Sequence, residues 1–346
     1  MARILVVNAG SSSLKLSLLG EGDEILGQRS LPASPNPHEW SAALDEGLGD
    51  ADAVGHRIVH GGQRFREAVL IDSDVEAALR QLTELAPLHQ PKSLAALDAV
   101  SAALPQLPAV ACFDTAFHAT LPPEASTYAL PAAWRSRWGV RRYGFHGLSH
   151  AWVARRVPEL VGRPREELRI VSCHLGAGAS LCAIAGGRSV DTTMGFTPLE
   201  GLVMATRSGS VDPGLLLWLL ERESLTESEL AHALEYESGL LALGGTADMR
   251  ELLAREDDDA RLGLSVYIHH LRAGIAAMAA SLGGLDVLAF TGGVGENAQE
   301  IRERTVAGLS FLPLENVPKL VIEAREDLEI VRQVRALLKD GCAGAD

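Results

Sequence analysis

Ile4-Leu5-Val6-Val7-Asn8-Ala9-Gly10-Ser11-Ser12-Ser13-Leu14-Lys15-Leu16-Ser17-Leu18-Leu19 reads as a buried strand, a turn of small residues and a returning strand. Leu14, Leu16 and Leu18 share one face of that return. At an offset of 166 residues (170 − 4) the pattern recurs as Ile170-Val171-Ser172-Cys173-His174-Leu175-Gly176-Ala177-Gly178-Ala179-Ser180-Leu181-Cys182-Ala183-Ile184. His174 falls where Asn8 stood, Gly176 matches Gly10, and Ser180–Ile184 repeats the return without a gap. A second copy of strand, polar residue, glycine-rich turn and strand points to an internal duplication. The competing reading is coincidence, because hairpins are common.

Helical spacing of apolar residues predicts helices over Asp74–Leu85, Ser93–Ala103 and Ser149–Val157, the last with Ser149 as its cap. Beyond the second hairpin, helices are predicted over Glu227–Tyr236 and Ser265–Ser281. Leu285–Phe290 reads as a buried strand leading through Thr291–Asn297 into a helix, Ala298–Ala307. Pro32, Pro35 and Pro37 mark Ser30–Trp40 as an exposed connection. Strands alternating with helices define an α/β protein.

The chain has 346 residues, enough for one large or two ordinary domains. With 31 Lys and Arg against 45 Asp and Glu, its net charge of −14 opposes nucleic acid and anionic lipid as partners. An anionic substrate then needs a local cluster of cations. Four cysteines (Cys112, Cys173, Cys182, Cys342) without a C-x-x-C pair argue against a disulfide scaffold and a zinc ribbon, and suit a reducing compartment. No signal-type cleavage site follows Ile4–Val7, and Gly274–Phe290 is interrupted by Gly283-Gly284 and Asp286, so the cytoplasm is the expected location.

Three glycine-rich turns follow buried strands: Asn8–Ser13, His174–Ala179 and Gly292–Asn297. Backbone N–H groups approach phosphate oxygens closely only where no Cβ intrudes. Any one such turn is more often an ordinary tight turn; three in a duplicated α/β chain favour a nucleotide. Neither G-x-x-x-x-G-K-[ST] nor G-x-G-x-x-G is present. Lys15, just after the first turn, is within reach of a phosphate or is a solvated strand residue. His56/His60 and His146/His150 have i, i+4 spacing, but without H-E-x-x-H a zinc site is disfavoured, and His118 reads as structural. Arg57, in a glycine-flanked apolar strand, and Arg207, in Met204-Ala205-Thr206-Arg207-Ser208-Gly209, carry more information. A buried guanidinium needs an anion. That anion is an internal carboxylate or a bound carboxylate or phosphoryl group.

Taken together, the motifs resemble those of the acetate kinase family. Asn8–Lys15 resembles its opening motif, and Asp191-Thr192-Thr193-Met194-Gly195-Phe196-Thr197-Pro198-Leu199-Glu200-Gly201 its second long motif. Gly55–Gly62, Asp114–His118, Arg142–Gly147, His174–Ser180, Ala247–Arg250 and Thr291–Asn297 follow in family order across nearly the whole chain. The resemblance implies duplicated ribonuclease H-like α/β domains of the acetate and sugar kinase, heat-shock chaperone and actin superfamily, closing around ATP. The expected domains are residues 1–118 with 328–346, including a returning C-terminal helix, and a nucleotide-binding domain, 119–327.

By the same resemblance, Arg57 and Arg207 contact the carboxylate and the transferring phosphoryl group, His146 stabilises the transition state, and Asp114 is the catalytic carboxylate. Asn8 and Glu326 serve Mg²⁺, for which Mn²⁺ can substitute. Lys15, His174, Leu175, Gly176, Ala177, Gly178, Asp248, Met249, Arg250, Gly293, Val294, Gly295, Glu296 and Asn297 surround ATP or ADP. Val59, Leu88, Phe145 and Pro198 line a pocket for the methyl group of acetate, and a homodimer is implied. The sequence departs from the family in being trimmed between the first hairpin and Gly55 and again after Leu314. Ala177 stands where the family usually has Asn, and the match around Glu326 is loose, with Asp327 beside it.

The implied reaction is ATP + acetate ⇌ acetyl phosphate + ADP. Acetate is already ionised at neutral pH, so its difficulty is electrostatic. Two like charges about 4 Å apart repel by roughly 4 kcal/mol at an effective dielectric of 20. Arg57, Arg207, His146 and Mg²⁺ would supply the compensating charge, and Asp114 fits an orienting role better than that of a base. Propionate or butyrate kinase is the near alternative, since one methylene is worth only about 1–3 kcal/mol. A nucleotide-dependent switch without chemistry is opposed by the joint presence of Arg57, Asp114, His146 and Arg207. A sugar kinase suits a pair of carboxylate-binding arginines less well.

Overall fold

The computed structural model describes residues 2–10, 13–32, 39, 42–43, 47–85 and 90–343. The chain divides into two compact units, Met1–Ala119 with Arg325–Asp346, and Thr120–Ala324.

In the first unit, apolar Ile4–Val7 extends into β1 (Ile4–Ala9), which pairs antiparallel with β2 (Ser13–Leu19). β2 pairs in turn with β3 (Ile25–Pro32). On its other side β1 runs parallel to β4 (Ala53–Ile58), β4 runs parallel to β6 (Ala109–Phe113), and the two-residue β5 (Val69–Leu70) closes the edge. The order is β3-β2-β1-β4-β6-β5. The second unit repeats this plan with β7 (Arg169–Leu175), β8 (Ala179–Ala185), β9 (Arg188–Thr192), β10 (Val287–Thr291) and β11 (Lys319–Val321). Its order, β9-β8-β7-β10-β11, matches β3-β2-β1-β4-β6 strand for strand in position and direction. The duplication read from the hairpins therefore extends to both sheets.

One detail of the repeat is corrected. Ala9 pairs with Leu14 across four connecting residues (10–13), whereas Leu175 pairs with Ala179 across three (176–178). The return strand is thus offset by one residue less than the outgoing strand, and Ser180, opposite His174, is the counterpart of Lys15, opposite Asn8.

Other boundaries also move. Ser30–Pro32 belongs to β3 rather than to a connection, while Pro35 and Pro37 lie outside the described residues. The first predicted helix is α-helical over Ser73–Gln81 and tightens to a 3₁₀ turn over Leu82–Leu85. The helix predicted from Ser265 begins at Asp258, where the Asp257 carboxylate caps the Ala260 N–H. Gly292–Asn297, read as a turn, is a short helix running into Gln299–Ala307. The helix expected from Ser149 starts at Gly147, and its N-cap position is His146 in the left-handed region at φ 56°.

Helix Glu326–Ala343 packs on the β1–β4 sheet of the first unit because Gly55 lacks a side chain there. A Cβ at Gly55 would lie 2.4 Å from Ile330 Cγ2 and 2.9 Å from Val334 Cγ2. Ile330 and Val334 are fully buried, so the helix is fixed and its first residue, Glu326, is placed beside the end of β1. Among the described residues, no helix is long and apolar enough to cross a membrane. Gly55→Ala is expected to lower stability by about 1–3 kcal/mol through overpacking, measured by urea unfolding.

Candidate active site

Asn8, Arg57 and Asp114 lie at the carboxyl ends of three neighbouring parallel strands, β1, β4 and β6, where open α/β sheets bind ligands. Asp114 follows β6 directly, and its N–H donates to Ile58 O at 3.0 Å. The Arg57 guanidinium is gripped from three sides. Its Nη2 donates to Asp114 Oδ2 at 2.6 Å, its Nε to both Asp114 oxygens at 3.1 Å, and its Nη1 to Asn8 Oδ1 at 2.9 Å. Glu326 Oε2 stands 3.8 Å from Nη1 and accepts from Asn8 Nδ2 at 3.0 Å.

Burial opposes the charge on Arg57, but Asp114 and Glu326 outweigh it and hold the guanidinium more firmly protonated than usual. Burial pushes the Asp114 carboxyl upward, with Arg57 pulling the other way. Lys15 is exposed on β2 opposite Asn8, and Val59 is buried just beyond β4. Leu88 lies outside the described residues.

The second unit holds a separate cluster. His146 Nδ1 meets Ser180 Oγ at 2.9 Å, and its ring lies against that of His174 with centroids 4.3 Å apart. Ser149, instead of capping the helix, meets His174 Nδ1 at 2.8 Å. A Cβ on Gly178 would sit 3.2 Å from His146 Nε2 and 3.3 Å from Arg207 Nη1, so three expected site residues converge on one spot.

Arg207 is fastened as Arg57 is, by a carboxylate: its Nε stands 3.0 Å from Glu235 Oε2, and its Nη1 donates to Pro198 O at 3.2 Å. Burial raises the Glu235 carboxyl, with Arg207 opposing. Pro198 belongs to a loop held by Arg142, which reaches Glu200 at 2.6 Å and the Thr193 and Met194 carbonyls at 3.1 and 3.0 Å. Tyr128 also donates to Glu200, and Phe145 is buried.

Around the end of β7, Gly176 N donates to Gly178 O at 2.9 Å and Ala205 N to Ala177 O at 3.1 Å. Leu175 is buried beneath this loop. Gly292 adopts φ 79°, and a Cβ there would be 2.7 Å from Leu175 O. Glu296 Oε1 takes both the Gly292 and Ala324 N–H groups at 2.9 Å, which shapes the short helix. Gly293 has open space where a Cβ would be, Val294 and Gly295 complete the turn, and Asn297 Nδ2 donates to Gly293 O at 2.9 Å. Asp248 caps helix Met249–Leu253 and pairs with the exposed Arg250 at 2.7 Å, which holds its carboxyl down to about 2, while Met249 is buried.

The sequence reading missed Glu235, Ser149, Ser172 and Ser180. The His146/His150 spacing was a usable signal for two rings on one face of a helix, and the residue they share is Ser180. Among the described residues, no group of three or more His, Cys, Asp or Glu side chains could hold a metal. Asn8 and Glu326, whose side chains meet at 3.0 Å, nevertheless offer oxygens of the kind taken by a hard cation that binds one or two carboxylates plus substrate phosphates.

Known proteins match both the sequence and the fold. Residues 40–336 match the profile of the acetokinase family. The acetate kinase of Deinococcus radiodurans is 47% identical over 343 residues, 90% of this chain and 86% of its own. That of Protochlamydia amoebophila is 41% identical over 352 residues, 91% of this chain and 89% of its own. The crystal structure of Porphyromonas gingivalis acetate kinase aligns with a TM-score of 0.89 at 33% identity, covering 98% of this chain and 100% of the other. A propionate kinase from Francisella tularensis aligns with a TM-score of 0.89 at 32% identity, covering 96% and 99%. The architecture is thus that of the two-domain α/β kinases. The chain belongs to the acetokinase family.

Two neutral histidines border Arg57 in sequence and give the fold a pH dependence. Burial lowers His56 and His60 from 6.5 to about 4. Between those values the unfolded chain takes up protons that the folded chain refuses, so stability falls as pH falls from 6.5 to 4. The loss reaches about 3 kcal/mol for each ring. Urea unfolding across that range is expected to show this slope, and His56→Leu to flatten it.

Proposed function

We propose that this protein is an acetate kinase, catalysing ATP + acetate ⇌ acetyl phosphate + ADP. The observation that carries the reading is the pair of part-buried arginines, Arg57 and Arg207, each fastened by a buried carboxylate, in a chain of the acetokinase family. Each guanidinium keeps a fixed orientation before any substrate arrives, so little reorganisation is needed as charge spreads in the transition state. Arg57 and Arg207 contact the carboxylate of acetate and the transferring phosphoryl group. His146 donates to that phosphoryl group from Nε2. Asp114 acts by orienting Arg57, because the nucleophile is already ionised and both Asp114 oxygens are engaged. Asn8 and Glu326 would hold Mg²⁺, which when bound neutralises phosphate charge. Lys15, the His174–Gly178 loop, Asp248–Arg250 and Gly293–Asn297 surround the nucleotide, and Val59, Leu88, Phe145 and Pro198 the methyl group.

Trapping acetyl phosphate as its hydroxamate tests the reading: product is expected with ATP and acetate, and ATP binding without product would reject it. Arg57→Ala and Arg207→Ala are each expected to lower kcat about 10²–10³-fold. Propionate is the second reading, favoured by the likeness to the Francisella enzyme, and kcat/KM for acetate, propionate and butyrate decides.

The functional form is a homodimer. Helix Pro213–Arg222 buries none of its residues and leaves Leu215, Leu217 and Trp218 exposed by 46%, 69% and 50%, an apolar face suited to a second copy. Light scattering is expected to give twice 36.8 kDa, and Leu217→Glu to give the monomer. A cytoplasmic location accords with three buried free thiols, Cys112, Cys173 and Cys182.

A further inference from the structure

His146 and His150, four residues apart, reach one hydroxyl. Between them stands Ser180 Oγ, 2.9 Å from His146 Nδ1 and 2.9 Å from His150 Nε2. His150 Nδ1 continues the line to Ser172 Oγ, also at 2.9 Å. Ser172, His150 and Ser180 are all fully buried, so solvent does not supply alternative partners. We propose that this Ser172–His150–Ser180 chain sets the tautomer of His146, keeping Nδ1 as an acceptor and Nε2 as the protonated nitrogen.

The number of protons in the chain decides its direction. Each link needs one hydrogen, and each hydroxyl and each neutral imidazole carries one. In one direction Ser172 donates to His150 Nδ1, His150 Nε2 donates to Ser180, and Ser180 donates to His146 Nδ1. Every hydrogen in the chain is then used, and the remaining proton of His146 sits on Nε2. In the other direction His146 Nδ1 donates to Ser180, Ser180 to His150 Nε2, and His150 Nδ1 to Ser172. The Ser172 hydroxyl hydrogen is then stranded, since Ser172 Oγ has no other partner among the described residues. An unmet buried donor carries the full cost of its desolvation, so the first direction wins.

This choice bears on the chemistry. Nε2 is the atom that comes near Gly178 and Arg207 Nη1, as judged from the position of a Cβ on Gly178. A protonated Nε2 offers a hydrogen to a phosphoryl oxygen, whereas a bare Nε2 would present a lone pair to an anion. Ser180, His150 and Ser172 are therefore positioning residues, acting through His146. The inference rests on the reading that His146 donates to the transferring group, but its test does not depend on activity.

Long-range proton–nitrogen correlation spectra of protein labelled with ¹⁵N-histidine distinguish the two neutral tautomers directly, with His146 assigned by the loss of its signals in His146→Gln. Above neutral pH, the wild-type His146 is expected to show a protonated Nε2 and an unprotonated Nδ1. Ser172→Ala, two links away, removes the terminal donor and is expected to yield a mixture of tautomers at His146. Ser180→Ala is expected to do the same and to lower kcat about tenfold or more, with KM for ATP and acetate little changed. A wild-type His146 protonated at Nδ1, or a His146 tautomer that ignores both substitutions, would overturn the proposal. If His146→Gln kept full turnover while the spectra behaved as expected, the tautomer assignment would stand and the phosphoryl-donor role would fall.

Discussion

A guanidinium taken out of water must be given an anion, and each of the two units meets that requirement once. Arg57 is held by Asp114 and Arg207 by Glu235, both carboxylates being almost fully buried. Burial raises the cost of leaving either member unpaired, so each pair is fixed in orientation as well as charge. Desolvation and Coulomb attraction compete at both carboxyls, and burial pushes each above the ordinary carboxylate range. On the other side of each pair the guanidinium is held planar and aimed.

The duplicated fold puts different chemistry on equivalent positions. In the first unit, the residue after the buried part of β1 is Asn8, and it bridges Arg57 to Glu326. In the second, the residue at that place on β7 is His174, and its ring lies against His146 at a tilt while engaging Ser149. The shorter connection after β7 brings Ser180 opposite His174, where the longer one after β1 puts Lys15 opposite Asn8. One residue of difference thus turns an exposed lysine position into a buried hydroxyl that two histidines share.

Much of this was legible locally. The period-two pattern of Leu14, Leu16 and Leu18, the small residues of the turns and the glycine flanks of Arg57 act over a few residues, and they identify strands, turns and a part-buried cation. What the sequence hid acts at a distance or without contrast. Glu235 is one of three glutamates on helix Glu227–Tyr236, and nothing nearby marks it as the partner of Arg207. Ser172 and Ser180 are unremarkable in strands until His150 is seen between them. β3 escaped because its residues are mostly exposed and end at Pro32, leaving no alternation to read. Gly292–Asn297 escaped because glycine is a poor helix former, and the helix there depends on Glu296 binding the Gly292 and Ala324 amides.

Fixed guanidinium geometry, beyond positive charge alone, is what the proposed reaction asks of Arg57 and Arg207. The most direct measurement is the turnover of Arg57→Lys and Arg207→Lys with the nucleotide dissociation constant followed in parallel. Lysine keeps the charge but loses the planar fork that Asp114 and Glu235 hold. In both variants kcat is expected to drop nearly as far as in the alanine variants, while nucleotide affinity changes little. Lysine variants that turned over at close to the native rate would contradict it.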